Sequence, residues 1–324
     1  MSFDFLWLNN SPLSDQAELA EIGPPLIREV VPDIRLHLTD DSAEAAALIA
    51  GADAAYGVIG PDLLAAAPRL RWIQSPQAGP DPGYYHPDLV ASEVVVTNMR
   101  GIYSDHISAH VMAWLLGFSR GLPTYHDRQR QKRWQTGAPT TFLPEATALI
   151  VGVGGIGAET ARLCAAFGMR VLGVDARLRE APPGMAELAK PEDLDRLLPE
   201  ADFVVLTVPE TPATQGFFDA SCFTLMKPGS FFINIGRGAT VVLDDLNQAL
   251  RQGGIAGAAL DVFQIEPLPP EHPLWDAPGM LITPHVATAG PYLNQRRAQV
   301  ITDNCVRFAN GEPLNNVVDK ANWF

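Results

Sequence analysis

The stretch LIVGVGGIG, residues 149–157, limits the choice of fold more than any other part of the chain. An apolar, strand-forming run enters Gly152, Gly154 and Gly157 at GxGxxG spacing, and AETARLCAAFG follows with helical character. Each glycine has its own task in such a strand–loop–helix unit. The first permits a tight turn, the second lets the backbone approach a diphosphate, and the third lets the helix pack closely on the strand. The helix N-terminus adds unpaired N–H groups and the positive end of a dipole, so Gly152, Gly154, Gly155, Ile156 and Gly157 are candidate phosphate-binding residues. The spacing alone is common, and a methyltransferase can share it. The context narrows it: RVLGVD ends a second strand on Asp175, eighteen residues beyond Gly157. A carboxylate there bonds the ribose hydroxyls of NAD and repels the 2′-phosphate of NADP. Arg177, two residues later, is suited to accept that phosphate, so NAD is expected and NADP stays open.

Strand and helix alternate on both sides of this loop. In the first hundred residues FLWL (5–8), IRLHL (34–38), AAYGVI (54–59), LRWIQS (70–75) and VVVTN (94–98) read as strands. AELAEIGPPLIREV, SAEAAALIAG and PDLLAAAPR read as the helices between them, with Pro or Gly punctuation. From about residue 146, ATALIVGV, MRVLGVD, DFVVLTV, SFFINIG, GIAGAALDVF and MLITPH form a second series. Such alternation predicts α/β folding with parallel, doubly wound sheets, one in each of two domains. The expected division is 102–290 for a Rossmann-type dinucleotide domain and 1–101 plus 291–324 for a flavodoxin-like substrate domain. A last helix at about 291–311 returns the chain to the latter. Another helix starts after Gly101, with Ser104 or Asp105 as its N-cap, and runs to about Gly121. It is apolar on most faces and expected in packing or a subunit contact. His106 and His110 on it stand four apart, a zinc-compatible spacing, but Ile107 replaces the Glu that a metalloprotease helix needs. Packing is the preferred reading, and no metal is expected.

Bulk properties exclude several functions. A formal charge of −14 over 324 residues argues against nucleic acid, and RQRQKRW (128–134), the sole basic cluster, reads as a solvated helix face. Three widely spaced cysteines suggest a reducing compartment without disulfides. MSFDFLWLNN lacks a basic start and a signal-length apolar run, and no stretch is long enough to span a bilayer. A cytoplasmic protein without a membrane partner is expected.

Three charged side chains stand just past predicted strands of the second series: Arg237 in NIGRG, Glu266 in ALDVFQIEPLP, and His285 in LITPH. Ligands of open parallel sheets bind beyond the carboxyl ends of strands, so these groups are expected to share a crevice. The glycines beside Arg237 are read as leaving room for ligand. With VGVGGIG and TVPETPAT (207–214), the order and spacing of these pieces make the whole chain resemble the D-isomer-specific 2-hydroxyacid dehydrogenase family, on its glyoxylate/hydroxypyruvate reductase-like branch. The resemblance implies that Arg237 binds substrate, Glu266 is the paired acid and His285 the proton donor. It implies that Asp261 contacts the nicotinamide carboxamide. Val208, Pro209, Thr214, Ile235 and Gly236 are implied to line the cofactor. The segment AGPD (78–81), with Ala78 and Gly79, is implied to take the substrate carboxylate through backbone N–H groups. The helix from 104 to 121 and the arm after it are similar to the family's dimer-forming region, so a homodimer is expected. Two departures stand out: Ala109 replaces an acid usual on that helix, and TVPETPAT replaces LPLTPET. Glu266, where formate dehydrogenases carry Gln, separates the chain from those enzymes, and no regulatory domain is expected after Phe324.

These residues suit hydride transfer between a nicotinamide cofactor and a small 2-keto or D-2-hydroxy acid. A 2-keto acid presents a carboxylate beside a carbonyl, which the planar fork of an arginine can bridge and a lysine cannot with equal geometry. Protonated His285 would donate to the carbonyl oxygen, with Glu266 orienting its ring. A non-enzymatic NAD(H)-sensing corepressor is the alternative. Tyr103, Trp134, Tyr292 and Met99 are candidates for the wall around the substrate side chain, a position in which packing is the commoner role.

Overall fold

The structure, a computed structural model, describes residues 2–10, 16–79 and 82–322. Pro80 and Asp81 of the AGPD segment lie outside the described residues. The chain divides into two compact units, Met1–Ile102 with Gly290–Phe324, and Tyr103–Ala289.

In the first unit β1 (Asp4–Leu8), β2 (Arg35–Thr39), β3 (Ala54–Tyr56), β4 (Trp72–Gln74) and β5 (Val95–Thr97) form a parallel sheet in the order β2-β1-β3-β4-β5. That is the flavodoxin-like order. The helices α1 (Gln16–Val30), α2 (Ser42–Ile49), α3 (Pro61–Ala65) and α4 (Pro87–Ala91) connect the strands. The β-branched and aromatic residues of the strands are buried almost throughout, as a sheet covered on both faces requires. The helix α1 runs through Gly23, Pro24 and Pro25, which the sequence marks as punctuation. Gly23 admits the indole of Trp7, since a Cβ there would lie 2.5 Å from Trp7 Cη2. The strand predicted over 54–59 stops at Tyr56. Gly57 follows at φ +132°, where an L side chain is strained and a Cβ would lie 2.8 Å from Leu8 Cβ.

The second unit opens with α5 (Ser104–Ser119) and α6 (Leu122–Arg130), joined through Gly121 at φ 64°. The N-cap of α5 is Tyr103, without a side-chain cap bond, and Ser104 is already its first helical residue. The helix-face reading of 128–134 holds only for Arg128, Gln129 and Arg130, because α6 ends at Arg130 and Lys132 is left-handed. Next come β6 (Thr147–Val151), α7 (Gly155–Ala166), β7 (Arg170–Val174), β8 (Glu187–Ala189), α8 (Leu194–Leu197) and β9 (Phe203–Leu206). The unit continues with α9 (Ala220–Leu225), β10 (Phe231–Asn234), α10 (Leu243–Arg251), β11 (Gly257–Leu260) and β12 (Met280–Ile282). All seven strands run parallel in the order β12-β11-β10-β9-β6-β7-β8. The strand order reverses between β6 and β9, and such a switch point opens a crevice at the carboxyl ends of the strands. Leu149, Val204, Phe232 and Ala258 of the central strands are fully buried and anchor the core beneath that edge.

The helix α11 (Leu293–Asn310) belongs to the first unit, packs along α1, and ends on left-handed Gly311. No helix among the described residues is long and apolar enough to cross a membrane.

Candidate active site

The glycine loop joins β6 to α7 at the switch point. Gly152 takes φ +95°, and a Cβ on it would lie 2.9 Å from the Val208 backbone nitrogen. A Cβ on Gly157 would lie 2.0 Å from Gly152 O, so helix and strand approach as closely as the motif requires. Gly154 differs from both, because no protein atom lies within 4 Å of where its Cβ would be. Packing does not call for a glycine there, and the space beside it is open. Thr207 Oγ donates to Gly152 O and pins the loop to the end of β9.

Asp175 ends β7 as expected and is buried. Its Oδ2 accepts the Val153 N–H at 2.8 Å, and Oδ1 accepts those of Arg177 and Leu178 at 2.8 and 2.9 Å. Burial alone would raise its pKa, but the three N–H groups outweigh burial and hold the carboxyl below its ordinary value. The anion retains acceptor capacity for one further donor, as a ribose hydroxyl would be. Arg177 is exposed beside it, and Lys190 Nζ braces the same turn by donating to Leu178 O at 2.8 Å. These features fit a dinucleotide.

The other implied cofactor residues sit in two turns. Thr214 Oγ donates to Pro209 O at 2.7 Å and accepts from the Thr211 amide at 2.8 Å, closing the turn after β9 upon itself. Ile235 is buried, with its amide on Leu206 O at 3.0 Å.

Arg237 follows β10 in a turn held by fully buried Asn234, whose Nδ2 donates to Arg237 O at 3.0 Å while its Oδ1 accepts the Gly236 amide at 3.0 Å. Arg237 Nη1 donates to Gly236 O at 2.7 Å. The flanking glycines have a different cause from the room for ligand expected from sequence. A Cβ on Gly236 would lie 2.5 Å from Val208 O, and one on Gly238 only 1.9 Å from the Phe263 carbonyl carbon. Protein backbone fills that space, so the arginine turn is wedged between two neighbouring loops.

The loop beneath Gly238 carries the acid. Glu266 Oε1 accepts the Phe263 amide at 2.8 Å, and Oε2 meets His285 Nδ1 at 2.7 Å. The pair is partly open to water, with side-chain exposures of 36% and 43%. The bond to Glu266 raises the His285 pKa above its ordinary 6.5, against burial and the nearby Arg237 charge. Burial pushes Glu266 upward, but the bonds from His285 and Phe263 prevail and hold it below its ordinary value. Arg237 acts electrostatically on both groups. Both shifts favour the charged form of each partner.

His285 lies three residues past β12, at φ 53°, which a non-glycine residue keeps only when its surroundings enforce it. The enforcing group is Asp261, which is 2% exposed. Asp261 O accepts the His285 amide at 2.8 Å. Asp261 Oδ1 accepts Thr283 Oγ at 2.5 Å and the Val286 amide at 2.9 Å, and Oδ2 accepts the Ala287 amide at 2.9 Å. Arg237, Asp261 and His285 thus follow β10, β11 and β12, three adjacent parallel strands.

In the first unit, Ala78 and Gly79 follow β4, and Ala78 O accepts Asn98 Nδ2 at 2.7 Å. Met99 is fully buried and Tyr103 nearly so, both in packing positions, while Trp134 and Tyr292 are exposed. His110, read as packing, has a polar role as well: its Nε2 lies 3.1 Å from Thr283 Oγ. Sequence reasoning assigns no role to Thr207, Asn234 or Thr283, although each lies in a motif segment. Among the described residues no cluster of His, Cys, Asp or Glu could hold a metal ion.

Comparisons with known proteins point to one family. Residues 112–287 match the family model described as D-isomer specific 2-hydroxyacid dehydrogenase, NAD binding domain. The chain is 33% identical to glyoxylate/hydroxypyruvate reductase B of Pectobacterium carotovorum over 81% of its own length and 83% of that protein's. The crystal structure of a D-isomer specific 2-hydroxyacid dehydrogenase family protein from Aeromonas salmonicida superposes with a TM-score of 0.81 at 35% identity, over 98% of this chain and 99% of that one. A D-isomer specific 2-hydroxyacid dehydrogenase from Xanthobacter autotrophicus Py2, in complex with NADPH and MES, gives a TM-score of 0.87 at 28% identity, with both chains covered completely.

Proposed function

The chain belongs to the D-isomer-specific 2-hydroxyacid dehydrogenase family, and we propose that it interconverts a small 2-keto acid and the D-2-hydroxy acid, with His285 as the general acid and base. The nicotinamide cofactor, when bound, supplies the hydride in reduction and accepts it in oxidation. His285, protonated by virtue of Glu266, gives its proton to the carbonyl oxygen as negative charge grows there. In oxidation the neutral ring takes the hydroxyl proton. Glu266 fixes the ring by its bond to Nδ1, which leaves Nε2 for substrate. Arg237 bridges the substrate carboxylate and carbonyl with its planar fork. For the same carboxylate the family resemblance implies the main-chain N–H groups of Ala78 and Gly79. Asp261 Oδ2, which takes one donor from the protein, has capacity for a carboxamide N–H.

The cofactor follows from the same residues. Gly154, Gly155, Ile156 and Gly157 take the diphosphate, and Val208, Pro209, Thr214, Ile235 and Gly236 line the site. Ionised Asp175 favours NAD, and exposed Arg177 allows NADP.

The observation that carries the reading is the 2.7 Å His285–Glu266 pair, under the charge of Arg237, at the carboxyl edge of the sheet that bears the glycine loop. The reading is tested by following NADH and NADPH oxidation with glyoxylate, hydroxypyruvate, pyruvate and phenylpyruvate. Turnover with at least one of them is expected. Binding of NADH without turnover of any 2-keto acid would favour the corepressor-like alternative.

A further inference from the structure

We propose that His110, on α5, is a positioning residue that acts through Thr283 upon Asp261 and so upon the turn that carries His285. The inference rests on the reaction assigned above and adds a residue to it.

Hydrogen-bond directions carry the argument. Both carboxyl oxygens of Asp261 act as acceptors: Oδ1 from Thr283 Oγ and the Val286 amide, Oδ2 from the Ala287 amide. Thr283 has one hydroxyl proton, and it is committed to Asp261 at 2.5 Å. The 3.1 Å contact to His110 Nε2 can then be a hydrogen bond only if Nε2 bears the proton and the hydroxyl oxygen accepts it. Burial, opposed by the charge of Asp261, lowers the His110 pKa and favours the neutral ring, and with Nε2 as the donor to Thr283 that neutral ring is the Nε2–H tautomer.

The ring is held in place for this task. Trp114, one turn along α5 and buried, meets His110 edge-on with ring centroids 4.3 Å apart at 86°. One end of the chain of bonds is therefore anchored in a rigid helix. The other end is Asp261, whose carbonyl holds the His285 amide and whose side chain holds the next two amides of the turn. A hydroxyl with a single proton can rotate; a donor at its lone pair prevents that and keeps the proton on Asp261. Misplacing a reacting group by a fraction of an ångström is costly to rate, which is why such a tether matters.

The test uses the full-length protein and four variants. His110→Phe keeps an aromatic ring and removes the donor. His110→Gln presents an amide N–H near the Nε2 position. Thr283→Val removes the relay, and Thr283→Ser keeps it. With the best 2-keto acid, His110→Phe and Thr283→Val should each lower kcat by roughly 10- to 100-fold, with the substrate KM changed less than about 3-fold. His110→Gln and Thr283→Ser should recover to within about 3-fold of wild type. The double variant His110→Phe/Thr283→Val should be no worse than Thr283→Val, because both cut one chain. NADH affinity, read by fluorescence titration, should fall in the same two variants and recover in the same two. Nitrogen-detected NMR of the free wild-type protein should show His110 as the neutral Nε2–H tautomer at pH 8. Unaltered kcat and NADH affinity in His110→Phe, additive losses in the double variant, or an Nδ1–H tautomer would each overturn the proposal. Should the wild type bind NADH yet reduce no 2-keto acid, the reaction assignment fails, while the affinity series and the tautomer still decide the tether. Should His110→Phe fail to fold, Thr283→Val against Thr283→Ser decides the tether by the same rate and affinity measurements.

Discussion

The two units treat buried polar groups at strand ends in opposite ways. In the first, Gln74, Thr97 and Asn304 are all fully buried and satisfy one another. Thr97 Oγ donates to Gln74 Oε1 at 2.7 Å and accepts Trp72 Nε1 at 2.8 Å, while Asn304 Nδ2 donates to Gln74 Oε1 at 3.1 Å. Gln74 Nε2 spends its protons on carbonyls of Ser75 and Thr97. That network is closed, and its effect is to join α11 to β4 and β5. In the second unit, Asp261 and Glu266 also hold backbone turns, but the Glu266–His285 pair is partly exposed, and Asp261, Glu266 and His285 each keep a lone pair or ring nitrogen in reserve. Closed networks specify a fold; open ones can do chemistry.

Removing the open end should separate rate from stability most sharply. His285→Ala is expected to lower kcat by roughly 10²- to 10⁴-fold, as loss of a general acid does. Its melting temperature should fall only slightly, because the side chain is partly solvated and its ion pair with Glu266 adds little. A large loss of stability without a loss of rate would dissolve the contrast. Gly238→Ala comes next. The new methyl must displace the Phe263 backbone, so it should destabilise by about 1–3 kcal/mol and disturb both the arginine and glutamate turns. Denaturant melts together with the substrate KM would check this. Thr97→Val should show the reverse of His285→Ala. Stranding the buried indole N–H of Trp72 should cost about 1–3 kcal/mol, while kcat/KM stays within about 2-fold. The smallest effect is expected at Arg162, whose bidentate bond to Glu159 lies in solvent. Arg162→Ala should leave both melting temperature and rate unchanged.

Legibility in the sequence divides along the same line. The glycine loop, Asp175 and the residues past β10, β11 and β12 can be read because each depends on a few neighbours in the chain. The reason for the glycines around Arg237 cannot, since the atoms that forbid a Cβ belong to Val208 and Phe263. His110 reads as packing in the sequence because its partner, Thr283, lies 173 residues away. Spacing on one helix carries no signal of such a contact. The short elements β8 and α9 also leave no trace, because Glu187–Ala189 opens on an acid and Ala220–Leu225 mixes Ser, Cys and Thr among its apolar residues, so neither shows an apolar run. Asn234 could be suspected, for an amide closing an apolar strand just before a glycine turn has backbone groups to satisfy.

The account stands or falls on the pairing of His285 with Glu266. Because the carboxylate raises the imidazole pKa, the protonated acid should persist above the ordinary 6.5, and its contribution to fold stability should likewise be lost as pH rises through the raised value. The most direct test is kcat/KM for 2-keto acid reduction between pH 5 and pH 10, in wild type and Glu266→Gln. The expected result is an alkaline limb above 6.5 in the wild type that moves toward acid in the variant. Superimposable limbs would contradict it.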